Sequence, residues 1–70
     1  MTLKLSTFDQ LRCSAHLAEV RAKAEAACQA HDTEAAKRAL DGLWAAATRA
    51  RLAINEAENN AREAAMRKLA

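Results

Sequence analysis

The sequence predicts an all-α protein, and three of its features support that prediction. Alanine, the residue with the highest intrinsic helix propensity, is the commonest residue of the 70-residue chain. The chain contains one glycine and no proline, so almost nothing in it interrupts a helix. Apolar residues recur at alternating spacings of three and four, which is the period of one helix face. Because a chain of this length folds as one unit, we expect a single domain over residues 1–70.

The first helix is predicted over about residues 8–31. Thr7 and Gln10 have the spacing of a capping box, and Asp9 places a negative charge in the first turn. The packing face of this helix comprises Cys13, Leu17, Val20, Ala24, Ala27 and His31.

A turn is predicted at residues 31–34, followed by a second helix over about 33–69. Asp32 or Thr33 can cap the new helix, and Glu34 suits its first turn. Gly42 does not shift the apolar period, so we interpret it as a point of close packing. The second helix exceeds the first by about 18 Å. One continuous helix of roughly 90 Å is the alternative, since neither glycine nor proline marks the turn.

The second helix carries the clearest apolar pattern of the chain. Its predicted seam comprises Ala36, Leu40, Leu43, Ala47, Ala50, Ile54, Ala57, Ala61 and Ala64. Two helices with matching faces predict an antiparallel hairpin, in which mostly alanine contacts allow close approach.

A second apolar stripe on the first helix predicts a further neighbour. The stripe comprises Phe8, Leu11, Ala15, Ala18, Ala22 and Ala26. We therefore expect a homodimer of hairpins that forms a four-helix bundle or coiled coil. The alternative is one broad core face that needs only one neighbour.

Composition and charge exclude several classes of function. The net charge of +2 is too balanced for a dedicated nucleic-acid or membrane-surface protein. No apolar run approaches the ~20 residues of a membrane span, and the N-terminus lacks the apolar region of a signal peptide. We expect a cytoplasmic protein whose two cysteines are reduced.

The sequence offers little for catalysis or metal binding. Cys13 with His16, and Cys28 with His31, each place two possible ligands one turn apart, but only an antiparallel dimer would bring both pairs together. No nucleophile, base and orienting group share a loop, and no glycine-rich phosphate loop exists. We expect no enzymatic activity, no cofactor and no metal.

Trp44 is the strongest candidate for contact with a partner protein. We predict a binding surface that comprises Trp44, Lys37, Arg38, Arg49, Arg51 and Leu52. Tryptophan and arginine are enriched where binding energy concentrates in protein interfaces. The alternative is that Trp44 packs on the first helix near Phe8 or Leu11.

The chain resembles small accessory proteins of Mu-like phages that infect Pseudomonas, in particular quorum-sensing anti-activators. The resemblance rests on chain length, on a composition rich in alanine and arginine, and on a lone Trp44 in a helix that begins at Asp32-Thr33-Glu34. It implies a homodimer that keeps a LuxR-type transcription regulator from DNA and that also binds the type IV pilus ATPase.

Two other functions stay open at this point. The hairpin also resembles the plasmid copy-number regulators that grip paired RNA loops, with Lys37, Arg38, Arg49 and Arg51 on phosphates. Asp41 within that patch and the near-neutral charge argue against RNA binding. A structural coiled-coil or antitoxin-like interaction module is the other alternative.

Overall fold

The computed structural model describes residues 3–69, which form an antiparallel hairpin of two helices. Helix α1 spans Thr7–Cys28 and helix α2 spans Thr33–Leu69. The hairpin measures 57 × 18 × 15 Å, and α2 alone accounts for its length at about 1.5 Å per residue. The predicted helical hairpin is confirmed, since residues 3–69 contain no strand and the two helices are separated by a turn.

The start of α1 is capped by Ser6 and not, as predicted, by Thr7. The Ser6 hydroxyl accepts a hydrogen bond from the Asp9 backbone N–H at 3.2 Å and donates to Oδ2 of Asp9 at 3.2 Å. Ser6 and Asp9 therefore make the local contact that the sequence assigned to Thr7 and Gln10. Gln10 instead donates from Nε2 to the Leu5 carbonyl at 3.0 Å.

The end of α1 lies at Cys28, three residues before the predicted end. His31 is exposed in the loop of residues 29–32, so it does not belong to the packing face of α1. Asp32 caps α2, because its Oδ1 accepts the backbone N–H of Ala35 at 2.8 Å. A capping residue needs a non-helical backbone, so α1 cannot continue through Asp32 into α2. The residues that were predicted as the last turn of α1 form the loop that reverses the chain.

Polar contacts between the helices define the antiparallel register. Asp9, near the start of α1, lies beside Asn60, whereas Glu19 further along pairs with Arg49. The segment of α2 that follows Asn60 thus extends beyond the start of α1. Residues 62–69 of this overhang are all exposed, as expected for a second helix that is longer than the first.

The contact between the two helices consists of small side chains. The buried apolar residues are Cys13, Ala46, Ala50, Ala53, Ala57 and Ala61. Among the described residues, no large side chain is fully buried. Alanine lets the two backbones approach closely, but each contact removes little apolar area from water.

The packing face of α2 is rotated from the predicted seam. Ala50, Ala57 and Ala61 are buried as predicted, but Ala46 and Ala53 are buried as well. Four predicted seam positions are instead exposed: Leu40, Ala47, Ile54 and Ala64. The observed and predicted faces share three positions and differ by one residue at two others, where Ala46 and Ala53 are buried in place of Ala47 and Ile54. Small side chains at the buried positions allow the closer approach of the two helices.

Gly42 is not the close-packing point that the sequence suggested. A Cβ built on Gly42 would lie 3.7 Å from Cδ of Lys23, which is an ordinary contact with a flexible side chain.

Replacing Gly42 with alanine should therefore stabilise the hairpin. We expect the free energy of unfolding to rise by up to about 1 kcal/mol, because alanine favours the helix over glycine. Urea denaturation followed by circular dichroism measures the change. A loss of stability would show that the helices approach each other more closely at Gly42 than this structure has them.

Candidate protein-binding surface

An apolar groove runs along one flank of the hairpin. Its central part is lined by Leu17, Val20, Ala47, Ala50, Arg51, Ile54 and Asn55. The groove continues toward the loop between the helices, where it is lined by Leu40, Asp41, Leu43, Trp44 and Ala47. Ala47 lines both parts, so we treat them as one surface and call it the apolar groove.

The apolar groove exposes large side chains that the sequence had placed in the seam. Leu17 is 51% exposed, Leu40 56% and Ile54 41%. Val20 and Leu43 are half-buried at the edge of the interhelical contact. The predicted seam residues therefore divide between two places: some join α1 to α2, and the larger ones line the apolar groove.

Trp44 lines the part of the apolar groove nearer the loop and is 73% exposed. Phe8 precedes Asp9, which contacts Asn60, and it therefore lies at the other end of the hairpin. Asn60 is 16 residues from Trp44 in α2, or about 24 Å. The interpretation that Trp44 packs near Phe8 or Leu11 is wrong.

The basic residues predicted around Trp44 point to different sides of α2. At about 100° per residue, Lys37 and Arg51 each project within about 20° of Trp44. Arg38 and Arg49 project about 120° and 140° away from it. Of the four cations, only Lys37 and Arg51 share the side of α2 on which Trp44 lies.

The opposite flank of the hairpin holds charged contacts between the helices. Arg49 binds Glu19 of α1 through Nη2 and Oε1. The hydrogen bond from Arg49 holds the pKa of the Glu19 carboxyl below its ordinary value; the charges of Arg49, His16 and Lys23 act in the same direction, and partial desolvation opposes them. Arg49 thus links the two helices on this flank. Leu52 is 63% exposed and lies outside the apolar groove.

A second polar cluster, which the sequence analysis missed, joins the start of α1 to α2. Arg12 places Nη1 3.3 Å from Oε2 of Glu56. Its Nη2 lies 3.4 Å from Oδ1 of Asp9 and donates to the Ala53 carbonyl at 3.5 Å. Asp9, only 5% exposed, also accepts a hydrogen bond from Nδ2 of Asn60 at 3.4 Å.

The sequence signal for this cluster was an aspartate and an arginine one turn apart. This spacing could be interpreted only once it was known which face of α1 packs on α2, because the same spacing is common on exposed helix faces. The Arg12 guanidinium also lies 6.0 Å from the ring centroid of Phe8. Arg12 Nε is buried without a hydrogen-bond partner.

The possible metal ligands are not gathered at one place. Cys13 is buried between the helices, whereas Cys28 and His31 are exposed beside the loop. Within residues 3–69, no group of three or more His, Cys, Asp or Glu side chains is placed to hold a metal ion. In the same part of the chain, neither helix has an apolar stretch long enough to cross a membrane.

Comparison with family models, with curated proteins and with solved structures found no significant match to this chain. The interpretation of the surface therefore depends on its own residues. Its main features are the apolar groove, the exposed Trp44 and two nearby cations.

Removing Arg12 should destabilise the hairpin, because the buried Asp9 carboxylate would lose its cation. We expect Arg12→Ala to lower the free energy of unfolding by about 2 kcal/mol. Arg62→Ala is the matched control, since Arg62 pairs with the exposed Glu58 one turn away in α2, and its cost should stay below about 0.5 kcal/mol. Equal losses in urea denaturation would contradict a special role for Arg12.

Acid should remove the stabilisation that Glu19 provides. The pKa of Glu19 is lowered in the folded hairpin, so its contribution is present above the ordinary value of 4.5 and disappears as the pH falls through the folded value. Wild type should therefore be more stable than Glu19→Gln at neutral pH, and the difference should shrink as the pH falls through the lowered pKa of Glu19. A difference in unfolding free energy that persists in acid would show that the charge of Glu19 is irrelevant.

Proposed function

We propose that this chain is a non-enzymatic dimeric protein that binds a host protein and blocks its action. The observation that carries the proposal is the apolar groove, which is lined by Trp44 and by other large apolar side chains that lie exposed. Exposed apolar surface of this kind marks protein interaction sites.

Self-association is the first part of the proposal. A short hairpin whose buried apolar residues are alanine and cysteine has a small core, and proteins of this size gain stability by oligomerisation. Two hairpins packed groove to groove would bury Leu17, Leu40 and Ile54 of both copies. The product is a four-helix bundle with twofold symmetry, the commonest symmetry of small homo-oligomers.

The host protein is the second part of the proposal. Trp44 supplies a rigid aromatic anchor, and Arg51 and Lys37 beside it can pair with carboxylates of the partner. The resemblance to phage anti-activators suggests that the partner is a LuxR-type regulator, which the complex keeps from DNA, with the type IV pilus ATPase as a further target. Such partners place the chain in the host cytoplasm.

RNA binding is less well supported by the positions of the basic residues. A phosphate-binding surface requires its cations on one face. Arg49 pairs with Glu19 on the opposite flank, and Arg38 projects far from Lys37 and Arg51.

Replacing Trp44 with alanine should weaken inhibition without unfolding the hairpin. In an electrophoretic mobility assay, wild type should release operator DNA from a purified LuxR-type regulator. Trp44→Ala should require about 30-fold more protein, as for the loss of an interface anchor worth about 2 kcal/mol. Leu52→Ala removes another exposed large side chain of α2 outside the groove, and it should inhibit like wild type.

Two results would contradict this part of the proposal. If Trp44→Ala and Leu52→Ala inhibited equally well, Trp44 would not be the anchor. If folded, dimeric wild type left the regulator on DNA, the regulator would not be the target. A complex with RNA that weakens steeply between low and moderate salt would favour the nucleic-acid alternative.

A further inference from the structure

We infer that two copies pack α2 against α2 in antiparallel orientation about a twofold axis at Ala47, and that this dimer assembles one docking surface from Trp44 and Arg51 of both copies. The inference rests on the proposed dimer. It adds the orientation of the two copies, their register and the site that the pairing creates.

A row of three residues along the apolar groove favours this arrangement. Leu40, Ala47 and Ile54 are spaced by seven residues, so each is rotated only about 20° from the next. All three are exposed in the hairpin. A twofold axis at Ala47 sets Leu40 of one copy against Ile54 of the other, because each lies seven residues from the axis. The small Ala47 side chains at the axis allow the two helices to approach closely.

The charges of the two copies are complementary in that register. Lys37 precedes Ala47 by ten residues and Glu58 follows it by eleven, so Lys37 of one copy lies within about 1.5 Å, along the helix axis, of Glu58 of the other. Both side chains are exposed in the hairpin, where Glu58 pairs with Arg62 of its own helix at 2.7 Å. In the dimer Glu58 would lie between two cations, and the twofold axis repeats the arrangement.

The same register brings Trp44 of one copy to Arg51 of the other. Trp44 precedes the axis by three residues and Arg51 follows it by four. An arginine guanidinium stacks favourably on a tryptophan ring. A parallel dimer would leave Lys37 of one copy about 31 Å, along the helices, from Glu58 of the other, and Trp44 about 10 Å from Arg51, so it would make neither contact. The charges of α2 therefore favour the antiparallel dimer.

The position of Trp44 around α2 explains why the dimer forms a composite surface. Relative to Ala47, Trp44 and Arg51 are rotated by about 60° and 40° in the direction away from α1. A twofold axis that relates two antiparallel helices leaves this side the same in both copies. Two Trp44 and two Arg51 side chains then share one face, with the Trp44 backbones about 9 Å apart along the helices. A single hairpin offers half of this site.

Disulfide cross-linking tests the orientation and register. The exposed Cys28 is first replaced by alanine so that it cannot form a disulfide. Cys13 is kept because it is buried. In that background Ala47→Cys should form a covalent dimer on mild oxidation. Leu40→Cys should not link to itself, but a mixture of Leu40→Cys and Ile54→Cys should form the mixed dimer. Reducing and non-reducing gels with mass spectrometry identify each product.

Leu52→Cys is the control. Because Leu52 lies outside the groove, this variant should not form a cross-linked dimer. Self-linking of Leu40→Cys and of Ile54→Cys in a protein of dimeric mass would establish a parallel dimer, which overturns the inference and leaves the proposed dimer intact. A mass of 7.6 kDa by light scattering, the mass of one chain, would overturn both. None of these results depends on the identity of the host protein.

The composite surface is tested by breaking the dimer at its axis. Ala47→Glu sets two like charges against each other and should give a monomer, with circular dichroism showing whether it stays helical. It should inhibit the regulator at least about tenfold less than wild type, whereas the disulfide-linked Ala47→Cys dimer should inhibit as well as wild type. A helical Ala47→Glu monomer of undiminished potency, or an inactive linked dimer, would overturn the composite surface.

Discussion

The apolar side chains buried between α1 and α2 end at Cβ or carry one sulfur atom, and the rest of the structure depends on that constraint. Helices joined through alanine lie close together, so no leucine, isoleucine or tryptophan fits between them. Full burial of a large apolar side chain stabilises a protein by about 1.5–3 kcal/mol. Leu17, Leu40 and Trp44 are exposed in the hairpin and do not provide that stabilisation. The large apolar side chains are left outside, where another protein can cover them.

The charged contacts supply what the alanine contact lacks, which is a defined register. An alanine seam has nearly the same shape after a shift of seven residues, so packing alone specifies the alignment of the helices weakly. Arg12 with Glu56, and Arg49 with Glu19, each join positions that meet in one alignment only. Both pairs lie on the same flank, so the polar side chains fix the hairpin there, and the apolar groove lies on the opposite flank.

Local signals in the sequence predicted the two helices, the turn at Asp32 and the overhang of α2, because each depends on a few neighbouring residues. The rotation of α2 could not be predicted. Ala46 and Ala53 have the same spacing as Leu40, Ala47 and Ile54, and only the three-dimensional contact decides which set faces α1. That uncertainty also explains the interpretation of Arg49 as a partner-binding residue, since its side of α2 was unknown. The Arg12 cluster was missed for the same reason.

An apolar side chain can be covered by one neighbour only, so the proposed dimer and the proposed complex with a host protein require different parts of the apolar groove. The row from Leu40 to Ile54 borders α1 and can continue the core of the hairpin into a four-helix bundle. Trp44 lies further around α2, where it adds nothing to that core and is 73% exposed. Its loss should leave the helices intact, because alanine has the higher helix propensity. In the proposed function, binding and folding therefore depend on different residues of the same helix, so the role proposed for Trp44 can be tested separately from the stability of the hairpin.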